Sequence, residues 1–111
     1  MGGLVALFGR KKRPGTLRES TSADTAHLEA FAASRQGVEA FVEPRTAVTE
    51  ATVVFVAADG EWTRRRIDGP DGAQKLARKL AIPVYDASVL GYPDRMREWT
   101  ARQKNHGAGP G

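Results

Sequence analysis

Two short basic stretches are the parts of this sequence whose residue types could do chemistry. The first is Arg10–Arg13, four consecutive cations with the sequence RKKR. The second is segment 61–67, EWTRRRI, which places a tryptophan two residues before three consecutive arginines. Cations neutralise phosphates and aromatic rings stack on exposed bases, so both stretches predict contact with a polyanion such as RNA, the ribosome or DNA. The predicted polyanion-binding residues are Arg10, Lys11, Lys12, Arg13, Trp62, Arg64 and Arg66.

The distribution of charge favours the first stretch. The 111-residue chain has 17 basic and 13 acidic residues, and its formal net charge is +4. The four cations of Arg10–Arg13 account for all of this excess, because the other 13 basic residues balance the 13 acidic ones. Long-range attraction to a polyanion is therefore expected to act mainly through the N-terminal segment.

An apolar run stands directly before these cations. Its large side chains are Leu4, Val5, Leu7 and Phe8. An apolar run followed by cations is also typical of segments that bind an anionic membrane surface or a protein partner with an acidic rim. A secretory signal is not indicated, since its cations precede its apolar stretch and that stretch is longer. A peripheral membrane or protein-scaffold role is thus the alternative to polyanion binding.

The residues that common catalytic sites require are largely missing. The sequence has no cysteine, which excludes disulfides and thiolate chemistry, and its two histidines are His27 and His106. No serine stands in a G-x-S-x-G context. We therefore expect no metal, no cofactor and no catalytic residue, with His27 on a helix surface. The strand end at 84–86 is the remaining position for an active site, because ligands often bind where strands of α/β units end.

Three regions differ in composition. Residues 1–20 are rich in glycine, basic and hydroxyl-bearing residues and are expected to be a flexible basic segment. Residues 104–111, KNHGAGPG, are expected to be a second flexible segment. Residues 21–103 are expected to form one compact domain.

The apolar periodicity of 21–103 predicts an α+β domain in the order α-β-β-β-α-β-α, with a mixed, mostly antiparallel sheet. Helices are predicted over 23–36, with Ser22 or Asp24 as N-cap, around Ala73–Leu80, and from Pro93 to about Gln103. A half-buried strand is predicted over 38–43 and a short strand at 82–85. Segment 52–58 is apolar on both faces, which predicts a central strand between 38–43 and the strand that follows Asp59–Gly60.

Asp59–Gly60 predicts a hairpin with a two-residue type I′ turn. This turn would place Phe55 opposite Arg64, so that Trp62, Arg64 and Arg66 would share one face with Phe55. If exposed, that face would bind RNA or single-stranded DNA; if covered by a helix, Trp62 would belong to the core and the arginines would form ion pairs. The acidic residues available for such pairs are Glu39, Glu43 and Glu50.

The element order alone does not identify a function. It is shared with restriction-endonuclease-like nucleases, but Glu61-Trp62-Thr63 has threonine where their motif has lysine. It is also shared with double-stranded-RNA-binding domains, but Asp71 stands where their second helix begins with basic residues.

Three stretches together extend over nearly the whole chain: LFGRKKRPGTL, GVEAFVEPRTAVTEATVVFVAADGEWTRRRI, and KLAIPVYD with the later GYPDRMREW. They resemble a family of small actinobacterial proteins to which no mechanism is assigned. The resemblance implies a bacterial cytosolic setting. Some members carry an oxidoreductase label, but this sequence has neither G-x-G-x-x-G after a strand nor C-x-x-C. The combined prediction is a cytoplasmic, non-enzymatic binding or accessory protein, with a membrane-peripheral position as the alternative.

Overall fold

Helices and strands alternate along residues 21–107, the part of the chain that the computed structural model describes. The helices are α1 (Ser22–Ser34), α2 (Gly69–Leu80), α3 (Ala87–Leu90) and α4 (Asp94–Gly107). The strands are β1 (Glu39–Glu43), β2 (Thr52–Val56), β3 (Trp62–Arg66) and β4 (Val84–Asp86). The predicted α+β class and element order are confirmed, and the short helix α3 is an addition to the predicted set.

The strands form one mixed sheet in the order β3-β2-β1-β4. β2 pairs antiparallel with both β1 and β3, whereas β4 pairs parallel with β1. The predicted neighbours of β2 are therefore confirmed. β1 is not half-buried as predicted, because its consecutive residues Ala40 and Phe41 point to opposite faces of the sheet and are both buried. The alternating sequence pattern did not predict burial on both faces, because it includes Glu39 and Glu43. These two glutamates lie at the ends of the strand, where they form ion pairs.

Helices cover both faces of the sheet, as the two-sided apolar pattern of β2 predicts. On one face, α1 contributes Leu28 and Phe31 and α2 contributes Leu76 to a core around Phe55. On the other face, Met96 of α4 packs against a second cluster, whose buried strand residues are Phe41, Val54 and Val56. The two faces of the sheet thus have different helical partners.

The ends of the helices differ from the predicted ones by a few residues. Thr21, not Ser22 or Asp24, is the N-cap of α1, and Asp24 completes a reciprocal capping box with it. α1 ends at Ser34, and the left-handed residue predicted for its exit is Gly37, with φ +63°. α4 continues to Gly107, past the predicted end at Gln103.

The predicted two-residue hairpin turn is wrong. The Ala57 N–H donates to the carbonyl of Glu61 (2.8 Å) and the Gly60 N–H donates to the carbonyl of Ala57 (2.9 Å), so the loop has three residues, 58–60. Gly60 has φ +97°, as the last position of such a loop requires. The pairing moves by one residue and places Val54 opposite Arg64. The side chains of Trp62, Arg64 and Arg66 therefore share a face with Val54, and Phe55 lies on the opposite face.

Candidate functional site

β3 is an edge strand whose outer side has no strand partner in residues 21–107. The hydrogen bonds from the Ala57 N–H to Glu61 and from the Ile67 N–H to Ala51 show which β3 residues face β2. Glu61 and Ile67 flank β3, and the direction of the backbone N–H and C=O groups alternates along a strand, so those of Thr63 and Arg65 also face β2. The N–H and C=O groups of Trp62, Arg64 and Arg66 therefore point away from the sheet. None of these outward groups hydrogen-bonds within the described part of the chain.

An open cleft of about 700 Å³ lies beside this edge. Three consecutive residues of β3, Arg64–Arg66, form one side of it. Asp24 near the start of α1 and segment 48–50 of the β1–β2 loop form the other side. The cleft therefore collects the arginine run that the sequence analysis singled out, beside the helix that begins immediately after the N-terminal segment.

Two of the three arginines are held by carboxylates. Arg64 donates from Nε and Nη2 to the two carboxylate oxygens of Glu43, at 2.7 and 2.9 Å, in a bidentate pair. Arg66 donates to Glu50. These pairs correspond to the ion-pair alternative of the sequence analysis, whereas the third acid named there, Glu39, pairs with Arg95 at 2.6 Å. The charges of Arg64 and Arg66 are thus neutralised locally.

Glu43 is the centre of a wider hydrogen-bonded group. Besides Arg64, the hydroxyls of Thr52 (2.5 Å) and Tyr92 donate to its carboxylate. Burial by itself would raise the pKa of Glu43, but the hydrogen bonds from Arg64, Thr52 and Tyr92 outweigh it and lower the pKa to about 2. Glu43 is therefore ionised throughout the neutral range and holds Arg64 in place.

This low pKa predicts an acid-dependent stability. A carboxylate whose pKa is lower in the folded state stabilises the fold above its unfolded pKa, and this contribution disappears as the pH falls through the folded pKa. For Glu43 the loss should occur between about pH 4.5 and about pH 2. We expect Glu43→Gln to lower the free energy of unfolding at pH 7 by about 1–3 kcal/mol and to flatten its decline below pH 4.5. Urea unfolding at a series of pH values measures both effects.

Glu29→Gln is the matched control for this prediction. Glu29 pairs with Lys79, whose side chain is 67% exposed, and exposed pairs contribute about 0–1 kcal/mol. If the two variants follow the same pH dependence, Glu43 does not supply the acid-sensitive stability.

Arg65, between the two paired arginines, is held differently. Its Nη1 lies 3.6 Å from the Asp24 carboxylate, beyond hydrogen-bond distance, and its side chain is 40% exposed. Asp24 already accepts from the backbone N–H (3.0 Å) and the hydroxyl (3.1 Å) of Thr21. Burial acts to raise the pKa of Asp24, but the Thr21 hydrogen bonds and the charge of Arg65 lower it overall. The guanidinium of Arg65 therefore makes no hydrogen bond within residues 21–107 and can accept an external anion.

Arg65 is the site residue that the sequence analysis missed. The predicted set took Arg64 and Arg66 because they alternate with Trp62 along one face of the strand. The availability of each arginine depends instead on its ion-pair partner. Glu43 and Glu50 accept hydrogen bonds from Arg64 and Arg66, so Arg65 has the most donors available of the three. The run of three arginines was the only signal in the sequence that included it.

Trp62 is engaged within the domain. It is half-buried, its Nε1 donates to the Thr100 hydroxyl of α4 (2.9 Å), and the Arg64 guanidinium lies over its ring at 5.4 Å from the centroid. Stacking of a nucleic-acid base on this ring would require Arg64 to move away. The structure therefore brings Trp62, Arg64 and Arg66 together, but within a network of internal contacts.

The two other positions considered for chemistry have structural partners. His27 is half-buried rather than on the helix surface, and its Nε2 lies 2.6 Å from the Thr63 hydroxyl, which joins α1 to β3. The Asp86 carboxylate at the end of β4 accepts from the Ser88 N–H (2.8 Å) and caps α3. Within 21–107, no group of three potential ligands could hold a metal ion, and none of the helices is long and apolar enough to cross a bilayer.

The remaining predicted site residues, Leu4, Val5, Leu7, Phe8 and Arg10–Arg13, lie outside the described residues. No family model, curated protein or solved structure matches this chain. Its function is therefore inferred from the geometry of the cleft and from the charge of the sequence.

Proposed function

We propose that this protein is a non-enzymatic accessory module that binds a polyanion, single-stranded RNA, along the arginine side of the cleft. The observation that carries the proposal is Arg65, an exposed arginine that forms a longer ion pair with Asp24 (3.6 Å) and has no hydrogen-bond acceptor in residues 21–107. The arginines on either side of it are hydrogen-bonded to carboxylates. A guanidinium offers a planar set of donors that matches a phosphate group. Arg65 thus has the chemistry and the accessibility to hold one phosphate.

The basic N-terminal segment joins the fold beside the same cleft. Thr21 caps α1, and Asp24 of the same capping box lines the cleft. Arg13 precedes Thr21 by eight residues, a length of chain that reaches at most about 28 Å when extended. The four cations of Arg10–Arg13 and the guanidinium of Arg65 can therefore contact one polyanion.

The two basic groups make different contributions to binding. The cleft itself is close to neutral, because Glu43, Glu50 and Asp24 oppose its arginines. Arg10–Arg13 supply the long-range attraction, which salt weakens, and Arg65 supplies a short-range directional contact. Because Trp62 is engaged by Thr100 and Arg64, recognition rests on phosphates and is expected to depend little on base sequence.

Fluorescence anisotropy of a labelled single-stranded RNA, titrated at several salt concentrations, tests the proposal. For the full chain we expect log K to fall with log salt by about 0.7 for each phosphate contact. Removal of residues 1–15 should lower this slope by up to about three, since four cations are lost. Arg65→Ala should weaken binding roughly tenfold, the loss expected for a charge-assisted hydrogen bond.

Arg97→Ala is the matched control, because Arg97 on α4 is 70% exposed and pairs with the neighbouring Asp94. It removes the same charge away from the cleft and should leave affinity within about twofold. Equal losses for Arg65→Ala and Arg97→Ala would show that only net charge matters, and absence of binding by the full chain at low salt would overturn the proposal altogether.

A further inference from the structure

The free edge of β3 offers a regular series of backbone groups that the proposed RNA contact does not use. Trp62, Arg64 and Arg66 each direct one N–H and one C=O away from the sheet, without a hydrogen-bond partner in the described residues. Alternate residues of a strand are about 6.8 Å apart, so donor and acceptor recur together at that interval. Another extended polypeptide presents complementary pairs at the same interval.

We propose that β3 receives an extended acidic segment of a partner protein as an added strand, which would become the fifth strand of the sheet. This goes beyond the proposed RNA contact, because backbone amides and carbonyls supply the main contacts and the arginines only add selectivity. Addition of a strand to an exposed edge is a general mode of peptide recognition, in which main-chain hydrogen bonds supply affinity and flanking side chains supply selectivity.

The side chains along the edge favour a partner that carries an acidic residue opposite Arg65, because Arg64 and Arg66 already pair with Glu43 and Glu50. Arg64 and Arg66 lie on one face of the edge and Arg65 on the other, so every position of an added strand opposite Arg64–Arg66 meets an arginine. Arg65 has no hydrogen bond within residues 21–107, so a partner carboxylate opposite Arg65 would form the strongest new ion pair along the edge. A second copy of β3 would instead bring arginines opposite arginines, and like charges placed opposite each other destabilise strand pairing.

The edge is accessible to such a segment. The side chains of Arg64, Arg65 and Arg66 are 37–44% exposed, and the cleft beside them is open. α1 and α4 cover the faces of the sheet and leave this edge free among the described residues. Val48, which also lines the cleft and is 85% exposed, offers an apolar contact to one side chain of the partner.

Amide hydrogen exchange of the full chain, followed by NMR with and without a synthetic peptide of alternating glutamate and valine, tests this proposal. The amides of Trp62, Arg64 and Arg66 should gain at least about tenfold protection on binding, whereas those of Thr63 and Arg65 already face β2 and should change little. A peptide with lysine in place of glutamate should produce no protection. Uniform protection of all five residues, or none, would overturn the proposal.

A pair of substitutions at one position separates backbone recognition from charge. Arg64→Pro removes the outward N–H and the guanidinium, whereas Arg64→Ala removes only the guanidinium. Proline is tolerated in an edge strand when its nitrogen faces solvent, so both variants are expected to fold. Circular dichroism and the near-UV absorbance of the Tyr and Trp side chains check that they do. We expect Arg64→Pro to bind the acidic peptide at least about tenfold more weakly than Arg64→Ala, because a main-chain hydrogen bond is lost.

The same variants distinguish this proposal from the RNA contact. RNA affinity should be equal for Arg64→Pro and Arg64→Ala, since neither retains the guanidinium and phosphate binding does not need the strand edge. If the two variants bind the peptide equally, strand addition fails while the RNA contact stands. If the amides of Trp62, Arg64 and Arg66 are already protected in the full chain and lose protection when residues 1–15 are removed, the edge is occupied by the chain's own N-terminal segment and the partner proposal is overturned.

Discussion

Replacement of Gly60 by alanine is expected to reduce the free energy of unfolding by about 2–5 kcal/mol and to loosen α4 from the sheet. Gly60 has φ +97°, a conformation that L residues rarely adopt. A Cβ at this position would also overlap the backbone carbonyl of Arg95 and would lie 2.8 Å from the Cβ of Trp99. The overlap with the Arg95 carbonyl involves backbone atoms, so a change of side-chain rotamer cannot relieve it. α4 itself must therefore shift.

Gly69→Ala is the matched control for Gly60→Ala. Gly69 also has a positive φ, +72°, but a Cβ there would have nothing within 4 Å. It should show the conformational cost alone, about 1–2 kcal/mol. Of the two tryptophans of the chain, Trp62 on β3 hydrogen-bonds to Thr100 of α4, and Trp99 on α4 lies beside Gly60, so their fluorescence reports on the position of α4. If the two variants lose the same stability and keep the same fluorescence, the contact between Gly60 and α4 does not hold the helix.

The consequences of Gly60→Ala for binding follow from which face α4 covers. α4 carries Thr100, which binds Trp62, and Arg95, which binds Glu39. Loosening α4 should expose Trp62 while it leaves Arg65, on the α1 side, in place. RNA affinity measured below the unfolding temperature should therefore be retained, and some dependence on base sequence should emerge as the ring becomes available.

Replacement of Phe55 by alanine is expected to cost about 3–5 kcal/mol, the largest loss for a single core truncation in this domain. Phe55 is the largest fully buried side chain among residues 21–107, with 1% exposure. Its ring packs edge to face against Phe31 of α1, with centroids 6.5 Å apart, and joins the core between α1 and the sheet. Truncation leaves a cavity that the rigid central strand cannot close.

Urea unfolding measures the effect of Phe55→Ala as a lower midpoint with an unchanged m-value. Val48→Ala also shortens an apolar side chain, but Val48 is 85% exposed and its loss should stay within about 0.5 kcal/mol. A loss of similar size in both variants would mean that burial at Phe55 does not stabilise the domain. Because a small domain has a free energy of unfolding of only about 5–15 kcal/mol, Phe55→Ala should also unfold at markedly lower temperature.

The ion pairs illustrate how far residue types alone can define a candidate site. Glu43 and Glu50 were identifiable as partners of the arginines, because Glu43 ends β1, Glu50 precedes β2, and both carry the opposite charge. Which glutamate pairs with which arginine could not be predicted, because this depends on the register between β2 and β3, and the observed register differs by one residue from the predicted one. Glu39, an equally plausible partner by sequence, is bound by Arg95 of α4, a helix whose position on the sheet no local pattern specifies.

The sequence by itself determined the α+β class, the order of the elements and the central position of β2. These follow from apolar periodicity and from a strand that is apolar on both faces, which are properties of neighbouring residues. The tertiary structure alone decided the hairpin register, because Asp59–Gly60 can serve as a two-residue turn or as the end of a three-residue loop. Contact between Gly60 and the backbone of α4 accompanies the longer loop, and this contact joins residues 35 positions apart in the chain. The longer loop turns Trp62, Arg64 and Arg66 toward α4 and places Arg65 on the α1 side, where it is the one arginine of this run without a hydrogen bond in residues 21–107.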